Sequence, residues 1–277
     1  MKIFISADLE GINGVAAPED VEETGSGYQQ ARVFMTEEVN AVVSGAFAGG
    51  ATEVVVCDSH NVAANIKVEQ LDDRAQLLRG DTRANSMVHG LDESFDGLIL
   101  LGYHAKFGTQ NAILDHTFSP SMIRDLRVNG VSVGELGFNA LFAAEKGVPL
   151  IMATGDQSLE KEAKDFYQEV ETVVVKYAEG RFCARCLPRI KTQDMLVETA
   201  EKAVRQAKEK KPVAVPDSLE MEITFQQVNL ADGAMRVTGT RRADAMTVAV
   251  KAADMEQLMA VRQVLFNAAA GFYNPLF

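Results

Sequence analysis

Short apolar runs alternate with helical patterns through the first half of the chain, and this alternation limits the possible folds more than any other feature. Four runs rich in β-branched and aliphatic residues have the length of strands: residues 2–6, 53–57, 97–101 and 149–153. Apolar residues recur at helical spacing over about 28–48, where two glycines end the pattern, and again over about 133–146. Strands that are apolar on both faces and separated by helices are typical of parallel sheets. We therefore expect an α/β fold with a mostly parallel sheet flanked by helices.

The pattern changes after about Tyr177, where strand-like runs and helical patterns become more polar. The second part contains two helical patterns and two alternating strand-like runs, over residues 192–210, 254–270, 220–228 and 245–252. We expect a smaller C-terminal α+β domain over 179–277, packed beside an α/β domain over 1–178. No linker rich in proline, glycine or serine separates the two, so the predicted boundary is soft.

The formal net charge of −12 over 277 residues bears on the partners to expect. A nucleic-acid-binding protein usually has a basic stripe, whereas the longest basic cluster here, residues 208–211, has the character of a solvated helix end. We expect no signal peptide, because the sequence starts with one Lys and only a short apolar run, and no membrane span, since no stretch approaches the roughly 20 apolar residues that cross a bilayer. Three cysteines are too few for a disulfide framework. These features favour a cytoplasmic protein without nucleic-acid or membrane partners.

Side chains of metal-ligating types follow three of the predicted strands. Asp8 and Glu10 come after the first strand, and His60 comes after the second. His104 follows the third strand, and His116 lies a short loop further along. Because the carboxyl ends of parallel strands meet at one edge of the sheet, we expect these side chains to converge there. The two carboxylates are two residues apart, which lets both reach the same side.

The chemistry of these side chains favours divalent cations. Two close carboxylates repel each other unless a cation lies between them or one of them takes a proton. Carboxylates and imidazoles together suit zinc, manganese and similar ions, and a two-metal site usually needs a bridging carboxylate, for which Asp8 is the natural candidate. Each residue alone also has a structural explanation, as a turn or helix cap for the carboxylates and as a hydrogen-bonded side chain for each histidine.

Five short motifs carry a resemblance to a known family. They are SADLEG at 6–11, DSH at 58–60, GYHA at 102–105, DHT at 115–117 and GELGFNA at 134–140. Together and in this order they resemble the D-aminopeptidase family, the M55 metallopeptidases. The resemblance covers most of the first half of the chain and fades in the second half.

The resemblance implies a site with two zinc ions per subunit. Its five ligands would be the bridging Asp8, then Glu10 and His60 for one ion, and His104 and Glu135 for the other. His116 corresponds to the family's catalytic histidine. It would shuttle a proton or stabilise an oxyanion, and a direct nucleophilic role is also open.

The resemblance also implies an activity and an assembly. The expected reaction is removal of an N-terminal D-amino acid, of the D-alanine type, from short peptides by a metal-activated water. Family members resemble one another in forming decamers of two stacked pentameric rings, with the active sites facing an inner channel. One departure from the family pattern is that Asn61 follows His60 where we expect a glycine, and this bears on the shape of the substrate pocket.

Two other functions stay open at this point. An aspartyl-phosphate phosphatase could use Asp8 as its nucleophile, although such enzymes usually have Asp rather than Glu at the second position and a downstream Lys. A non-enzymatic ring protein could use metal ions for assembly alone, although structural zinc sites are usually closed by four protein ligands and rich in cysteine.

Overall fold

A computed structural model describes residues 1–275 as two β-sheets with helices around them. Within this range the strands are β1 (Lys2–Ala7), β2 (Glu53–Asp58), β3 (Ala75–Leu78), β4 (Gly97–Leu101), β5 (Ile123–Val128), β6 (Val131–Ser132), β7 (Leu150–Asp156), β8 (Glu171–Gly180), β9 (Cys183–Cys186), β10 (Leu219–Phe225), β11 (Thr240–Arg242) and β12 (Thr247–Ala252). The α-helices in the same range are α1 (Pro18–Val21), α2 (Tyr28–Ala48), α3 (Glu135–Glu145), α4 (Gln157–Phe166), α5 (Arg189–Arg205), α6 (Val228–Ala234) and α7 (Met255–Ala270). None of the helices in residues 1–275 is both long enough and apolar enough to cross a membrane.

The larger sheet has seven strands in the order β3-β2-β1-β4-β7-β8-β9. The first six run parallel, and β9 pairs antiparallel with β8 at the edge. At the centre, Ile5 of β1 is in register with Val56 of β2 and Ile99 of β4. The strand order changes direction between β1 and β4, which is where parallel sheets open a crevice at their carboxyl edge. The expected α/β fold with a mostly parallel sheet is confirmed.

Alternating side chains of β1 anchor both faces of the larger sheet. Ile3 and Ile5 belong to an apolar cluster with α2 and α5 on one face, whereas Phe4 joins the cluster on the opposite face, with α3. All three side chains are fully buried. Burial of a side chain of this size contributes roughly 1.5–3 kcal/mol. The strand is therefore fixed from both sides, and the loop that leaves its carboxyl end starts from a rigid point.

The smaller sheet has five antiparallel strands in the order β11-β12-β10-β5-β6. It joins distant parts of the chain, since Ile223 of β10 lies opposite Leu126 of β5. α6 and α7 pack beside this sheet, and their buried residues share one apolar cluster with α3 and Phe4. α5 also comes from the second part of the chain, yet it packs on α2 at the far face of the larger sheet. The division of the chain near residue 178 stays a prediction.

The observed helices and the predicted ones agree closely around the larger sheet. The helix predicted over 28–48 is α2, with the same bounds, and the one predicted over 133–146 is α3. The helix predicted over 192–210 begins earlier, at Arg189, and ends at Arg205. Pro188 stands directly before it, and proline is compatible with a helix start because no intrahelical donor is needed there.

Candidate metal centre

Two glycines allow the loops after β1 and β4 to approach each other closely. The backbone N–H of Gly11 donates to the carbonyl oxygen of Gly102 at 2.7 Å. A Cβ atom at Gly11 would lie 2.0 Å from the carbonyl oxygen of Tyr103, so any larger residue would separate the loops. Gly102 has a φ of +69°, in the left-handed region that favours glycine, and a Cβ there would lie 2.4 Å from the carbonyl oxygen of Asp8. The glycines of the first and third motifs thus bring the carboxylates of one loop to the histidine of the other.

The side chain of Asp8 lies between two histidines. Its Oδ1 is 3.4 Å from His60 Nδ1, and its Oδ2 is 3.6 Å from His104 Nε2. Glu10 Oε2 lies 3.0 Å from the same His60 nitrogen, and Glu135 Oε1 lies 3.5 Å from the same His104 nitrogen. The ligand atoms therefore form two groups, Asp8 with Glu10 and His60, and Asp8 with His104 and Glu135, each within 4.8 Å of one another. One carboxylate belongs to both groups, as a bridging ligand must.

Backbone carbonyl groups fix the orientation of all three imidazoles in the cluster. One ring nitrogen of each histidine lies within hydrogen-bond distance of a carbonyl oxygen, to which only an N–H can donate. The pairs are His60 Nε2 with Val21 at 2.9 Å, His104 Nδ1 with Ala105 at 3.0 Å, and His116 Nδ1 with Leu114 at 2.8 Å. In a neutral ring the opposite nitrogen then presents its lone pair to the carboxylates. A lone pair that faces a carboxylate is repelled unless a cation lies between them, and such outer hydrogen bonds are usual for metal-binding histidines.

Several buried polar atoms of the cluster have no hydrogen-bond partner, which also indicates that a cation belongs among them. Among residues 1–275, Asp8 Oδ2, Glu10 Oε2 and His104 Nε2 are buried and accept or donate no hydrogen bond. An unsatisfied buried polar atom costs roughly 1–3 kcal/mol, and more when it is charged. Each of these atoms is a good ligand for a borderline divalent cation, and together they are compatible with zinc. The residues present therefore fit the metal ions that the motifs imply.

The carboxylates of the cluster titrate differently from free carboxylates. Burial, and next the charge of Glu10, raise the pKa of Asp8 to about 7. Burial acts most strongly, to raise the pKa of Glu10, but the charges of the three histidines and the hydrogen bond with His60 together outweigh it and hold that pKa well below its usual value. In the same way burial acts most strongly on Glu135, but the charges of His104 and His116 and the hydrogen bonds with His104 and Phe118 together lower its pKa. The three acids remain anionic only where positive charge lies beside them.

The same buried charges shift the pKa values of the histidines. Burial acts to lower the pKa of His60, but the charges of Glu10 and Asp8 outweigh it and raise that pKa well above its usual value. The pKa of His104 is raised for the same reason, chiefly by Glu135 against the effect of burial. The pocket thus attracts cations, and a divalent ion competes there with protons.

His116 lies against the second group of ligand atoms. Its ring stacks on that of His104, with centroids 3.9 Å apart and planes 12° from parallel, and its Nε2 is 3.6 Å from Glu135 Oε1. Burial and then the charge of His104 lower the pKa of His116. The sequence separates this histidine from the ligands, whereas the structure also groups its ligand atom with those of Glu10 and His104. A neutral imidazole at this point can accept a proton or contact a metal ion.

The loop that carries His116 is strained and held at several points. Leu114 and Phe118, on either side of the histidine, have φ values of +51° and +58°, which non-glycine residues rarely adopt. Asp115 accepts hydrogen bonds from Arg181 Nε at 2.8 Å and from a backbone N–H of the same loop, that of Gly108, at 2.6 Å. Such strain persists only where neighbours over-determine the conformation. The DHT motif therefore supplies both His116 and Asp115, the carboxylate that holds the loop in place.

The loop that carries His60 depends on a carboxylate that is not a candidate ligand. Asp58 accepts three hydrogen bonds within the loop, from the backbone N–H groups of Asn65 and Ile66 and from the Asn65 side chain, at 2.6–2.8 Å. Asn61, at the position where a glycine was expected, has a φ of +47°. Asparagine tolerates this left-handed conformation better than most residues. The substitution keeps the turn and adds a side chain to the wall of the cavity.

A buried lysine fixes the loop that carries Glu10, and the sequence did not reveal it. Lys176 of β8 is fully buried, and its ammonium donates to the carbonyl oxygens of Glu10, Ile12 at 2.8 Å and Val15 at 2.6 Å. Burial lowers the pKa of Lys176 to about 8, so it is largely protonated near neutral pH. Nothing local marks this lysine, because its partners are more than 160 residues away in the chain.

The cluster opens into a cavity of about 540 Å³. Apolar and charged residues from distant segments form its walls, among them Glu22, Asp81, Phe118, Arg181, Arg262 and Phe266. This volume accommodates a small ligand. The described part of the chain thus combines a buried set of metal-type ligands with a cleft suited to a small polar molecule.

Known proteins are similar to this chain in sequence and in fold. The family model for the D-aminopeptidases of peptidase family M55 matches residues 1–264. A D-aminopeptidase of Bacillus subtilis (strain 168) is 36% identical over 256 residues, which are 92% of this chain and 93% of that protein. A solved structure described as the Zn-dependent D-aminopeptidase DppA from Bacillus subtilis, a self-compartmentalizing protease, matches with a TM-score of 0.94, 35% identity and 98% coverage of both chains.

The fold and these similarities define the class of protein, a metallo-aminopeptidase, which is a hydrolase. The chain belongs to the D-aminopeptidase family, M55. The resemblance that the five motifs carry is thereby confirmed over nearly the whole length of the chain.

Proposed function

We propose that this protein is a zinc-dependent aminopeptidase that removes an N-terminal D-amino acid from short peptides at a site with two metal ions. The observation that carries the proposal is the pair of buried ligand groups that share Asp8. Asp8 would bridge the two ions, Glu10 and His60 would hold one, and His104 and Glu135 would hold the other. Zinc is the proposed metal because the donors are carboxylates and imidazoles and because the Bacillus subtilis structure is described as Zn-dependent.

Bound divalent ions supply Lewis acidity, which polarises a peptide carbonyl and makes water acidic enough to act as a nucleophile near neutral pH. The chain's own residues orient these partners. Val21 and Ala105 hold the two histidine ligands through their carbonyl oxygens, so that the free ring nitrogens point inward. Fixed ligand orientation of this kind avoids reorganisation during the reaction.

His116 is the proposed catalytic residue. Its Nδ1 donates to the Leu114 carbonyl oxygen, so its Nε2 carries the lone pair and faces the cluster. Its lowered pKa keeps the ring neutral near pH 7, in the form that accepts a proton. The same nitrogen can then donate that proton to the amine that leaves the scissile bond, which balances the proton transfer in one turnover.

The acidic character of the cavity suits the free amino terminus of a peptide. Glu22 and Asp81 line the cavity beside the cluster, and both are carboxylates that attract an ammonium group. The preference for a D-residue, of the D-alanine type, rests on the name that the family and its Bacillus subtilis member carry. Family membership favours this function over an aspartyl-phosphate phosphatase and over a non-enzymatic ring protein.

We also propose that the protein assembles as a homo-oligomer, a decamer of two stacked pentameric rings. The Bacillus subtilis structure is described as self-compartmentalizing, which requires several subunits to enclose a space. Exposed apolar side chains are available for such contacts, including Ile190 at 73% and Val131 at 63% exposure. Mass measured by native mass spectrometry should be ten times that of the chain. The cytoplasmic location stays a prediction of the sequence.

The proposal is tested by hydrolysis of paired dipeptides. The zinc-loaded protein should cleave D-Ala-D-Ala and D-Ala-L-Ala, and should leave L-Ala-L-Ala intact under the same conditions. Treatment with a chelator should abolish activity, and added zinc should restore it. Equal cleavage of the L-configured peptide would contradict the D-preference, and no cleavage of any peptide by the zinc-loaded protein would contradict the function itself.

A further inference from the structure

One arginine of the cavity wall is buried and forms no ion pair with a carboxylate of residues 1–275. Arg262 of α7 is only 3% exposed although it lines the cavity that contains the metal ligands. Its guanidinium carbon lies 3.9 Å from the centroid of the Phe118 ring, a distance typical of a cation–π contact. Phe118 in turn donates its backbone N–H to Glu135 Oε1 at 2.6 Å. The arginine is therefore positioned against the loop that carries His116.

The hydrogen-bonding capacity of Arg262 is largely unused. Its Nε is buried without any partner, and one Nη2 contact, with Gln263 Oε1 at 3.2 Å, is the only hydrogen bond of the guanidinium within residues 1–275. No carboxylate in that range forms an ion pair with it. Burial lowers its pKa to about 10, which still leaves it charged near neutral pH. A buried guanidinium has five donors, and leaving them unpaired is costly.

The second arginine of the cavity provides a contrast. Arg181 is more exposed, with 45% of its side chain accessible, and its Nε donates to Asp115 Oδ1 at 2.8 Å. It also donates to the Asp115 carbonyl oxygen, so its charge and its donors are used within the protein. The contacts of Arg181 show that it holds the loop that carries His116. The contacts of Arg262 with the described residues do not show why its buried charge is present.

We propose that Arg262 binds the terminal carboxylate of the peptide substrate, and this inference rests on the proposed function. The guanidinium presents a planar fork that matches a carboxylate with two parallel hydrogen bonds. The ring of Phe118 supports the fork from one side and restricts its orientation. The same cavity is lined by the carboxylates of Glu22 and Asp81, so a short peptide with both termini free has an opposite charge for each kind of side chain.

This assignment makes Arg262 a specificity-determining residue. Peptides whose carboxyl terminus is blocked as an amide lose the anion that pairs with the guanidinium and leave it buried and unpaired. Sites built to bind a charged group discriminate strongly against ligands that lack it, because the buried partner is then left unsatisfied. The enzyme should therefore act on short peptides that end in a free carboxylate.

The test compares D-Ala-D-Ala with D-Ala-D-alaninamide in the zinc-loaded enzyme, with release of D-alanine as the readout. The unmodified enzyme should prefer the acid in kcat/KM by about 10- to 100-fold, the range expected for a charge-assisted hydrogen-bonded pair. In Arg262→Gln this preference should disappear, through a higher KM for the acid and little change for the amide. Arg262→Lys should retain part of the preference, because it keeps the charge and loses the fork.

Arg181→Gln is the matched control, since it removes the same charge from the same cavity. It should leave the ratio of acid to amide hydrolysis unchanged, even if the overall rate falls with the loss of the loop anchor. The zinc content and the assembled mass of each variant check that it is folded.

Each outcome separates the inference from the function on which it rests. Hydrolysis of neither peptide by the unmodified enzyme would contradict the proposed function. Equal hydrolysis of acid and amide by the unmodified enzyme would overturn the role of Arg262 and leave the function standing, whether or not the variants fold. Equal loss of both activities in a correctly folded, zinc-loaded Arg262→Gln would also overturn it, because a structural role does not distinguish the two peptides.

Discussion

The larger and the smaller sheet both contribute to the cavity, the larger through loops that follow its strands and the smaller through α7 beside it. Neighbouring strands β1, β2 and β4 each end at a loop with a candidate ligand, so three ligand loops start from one rigid edge. The smaller sheet supports α7, which brings Arg262 and Phe266 to the wall of the same cavity. Most of the residues proposed for the chemistry thus lie in loops after strands of the larger sheet. The residue proposed for selectivity, Arg262, lies on a helix.

This comparison suggests that the two properties can change separately. A substitution on α7 alters a wall of the cavity without moving a strand end, whereas a substitution of a proposed ligand would alter metal binding. Variants of four residues test this separation: Asp8, His116, Lys176 and Ile223.

Asp8→Asn should have the largest effect, because it removes the negative charge that both ligand groups share. Loss of Lewis acidity worth several kcal/mol corresponds to a decrease in kcat/KM of about 10³-fold or more. Peptide hydrolysis should be measured together with the zinc content of the purified variant. Retention of both zinc ions and of most of the activity would show that Asp8 does not bridge them.

His116→Gln should reduce kcat by about 10²- to 10⁴-fold, the usual contribution of general acid–base catalysis. The five proposed ligands are intact in this variant, so zinc content should stay close to that of the unmodified enzyme. His89→Gln is the control, since His89 is the one histidine outside the ligand groups found among residues 1–275. A His116 variant that retains full activity, or that loses its zinc, would assign the residue a different role.

Lys176→Met tests whether a distant strand positions a ligand loop. The variant loses three hydrogen bonds to the loop that carries Glu10, while its apolar side chain still fills the space. Zinc affinity should fall by about 10- to 100-fold, as is typical when groups that orient a metal ligand are removed. Competition with a chelator of known affinity measures this change. An unaltered affinity would mean that the loop keeps its shape without the lysine.

Ile223→Val should have the smallest effect on function. Ile223 is fully buried in the smaller sheet, and this change typically lowers the free energy of unfolding by about 0.5–1.5 kcal/mol. Because Ile223 lies on β10, and the loops next to β10 carry none of the proposed ligands, zinc affinity should not change. A reduced zinc content in a fully folded Ile223→Val variant would contradict the proposal that the smaller sheet does not affect metal binding.

The sequence predicted the parts of the fold that depend on local patterns. α2 follows a helical pattern of apolar residues that ends at two glycines. The strands β1, β2 and β4 are continuous apolar runs. Neighbouring residues are therefore enough to identify these elements. The strand ends then predicted that Asp8, Glu10, His60 and His104 would converge. The structure brings together Asp8, Glu10, His60, His104 and Glu135 as the motifs implied, and it places His116 against them.

Non-local features were not predictable in the same way. β5 carries exposed charged residues between buried apolar ones, and its partner β10 lies nearly 100 residues further along the chain, which no short pattern reveals. Lys176 and Arg262 look like ordinary residues of an amphipathic strand and helix. Their importance appears only when folding buries each charge beside a distant loop, and burial of a charge is a property of the tertiary structure.

The most direct test of the account is the number of zinc ions bound per chain. Metal-depleted protein should be titrated with zinc, with calorimetry for the binding and elemental analysis of the washed complex for the count. We predict two equivalents per chain for the unmodified protein, and a full recovery of D-Ala-D-Ala hydrolysis only after both sites are filled. Saturation at a single equivalent with full activity would contradict the two-ion site, and so would activity that persists in the metal-depleted protein.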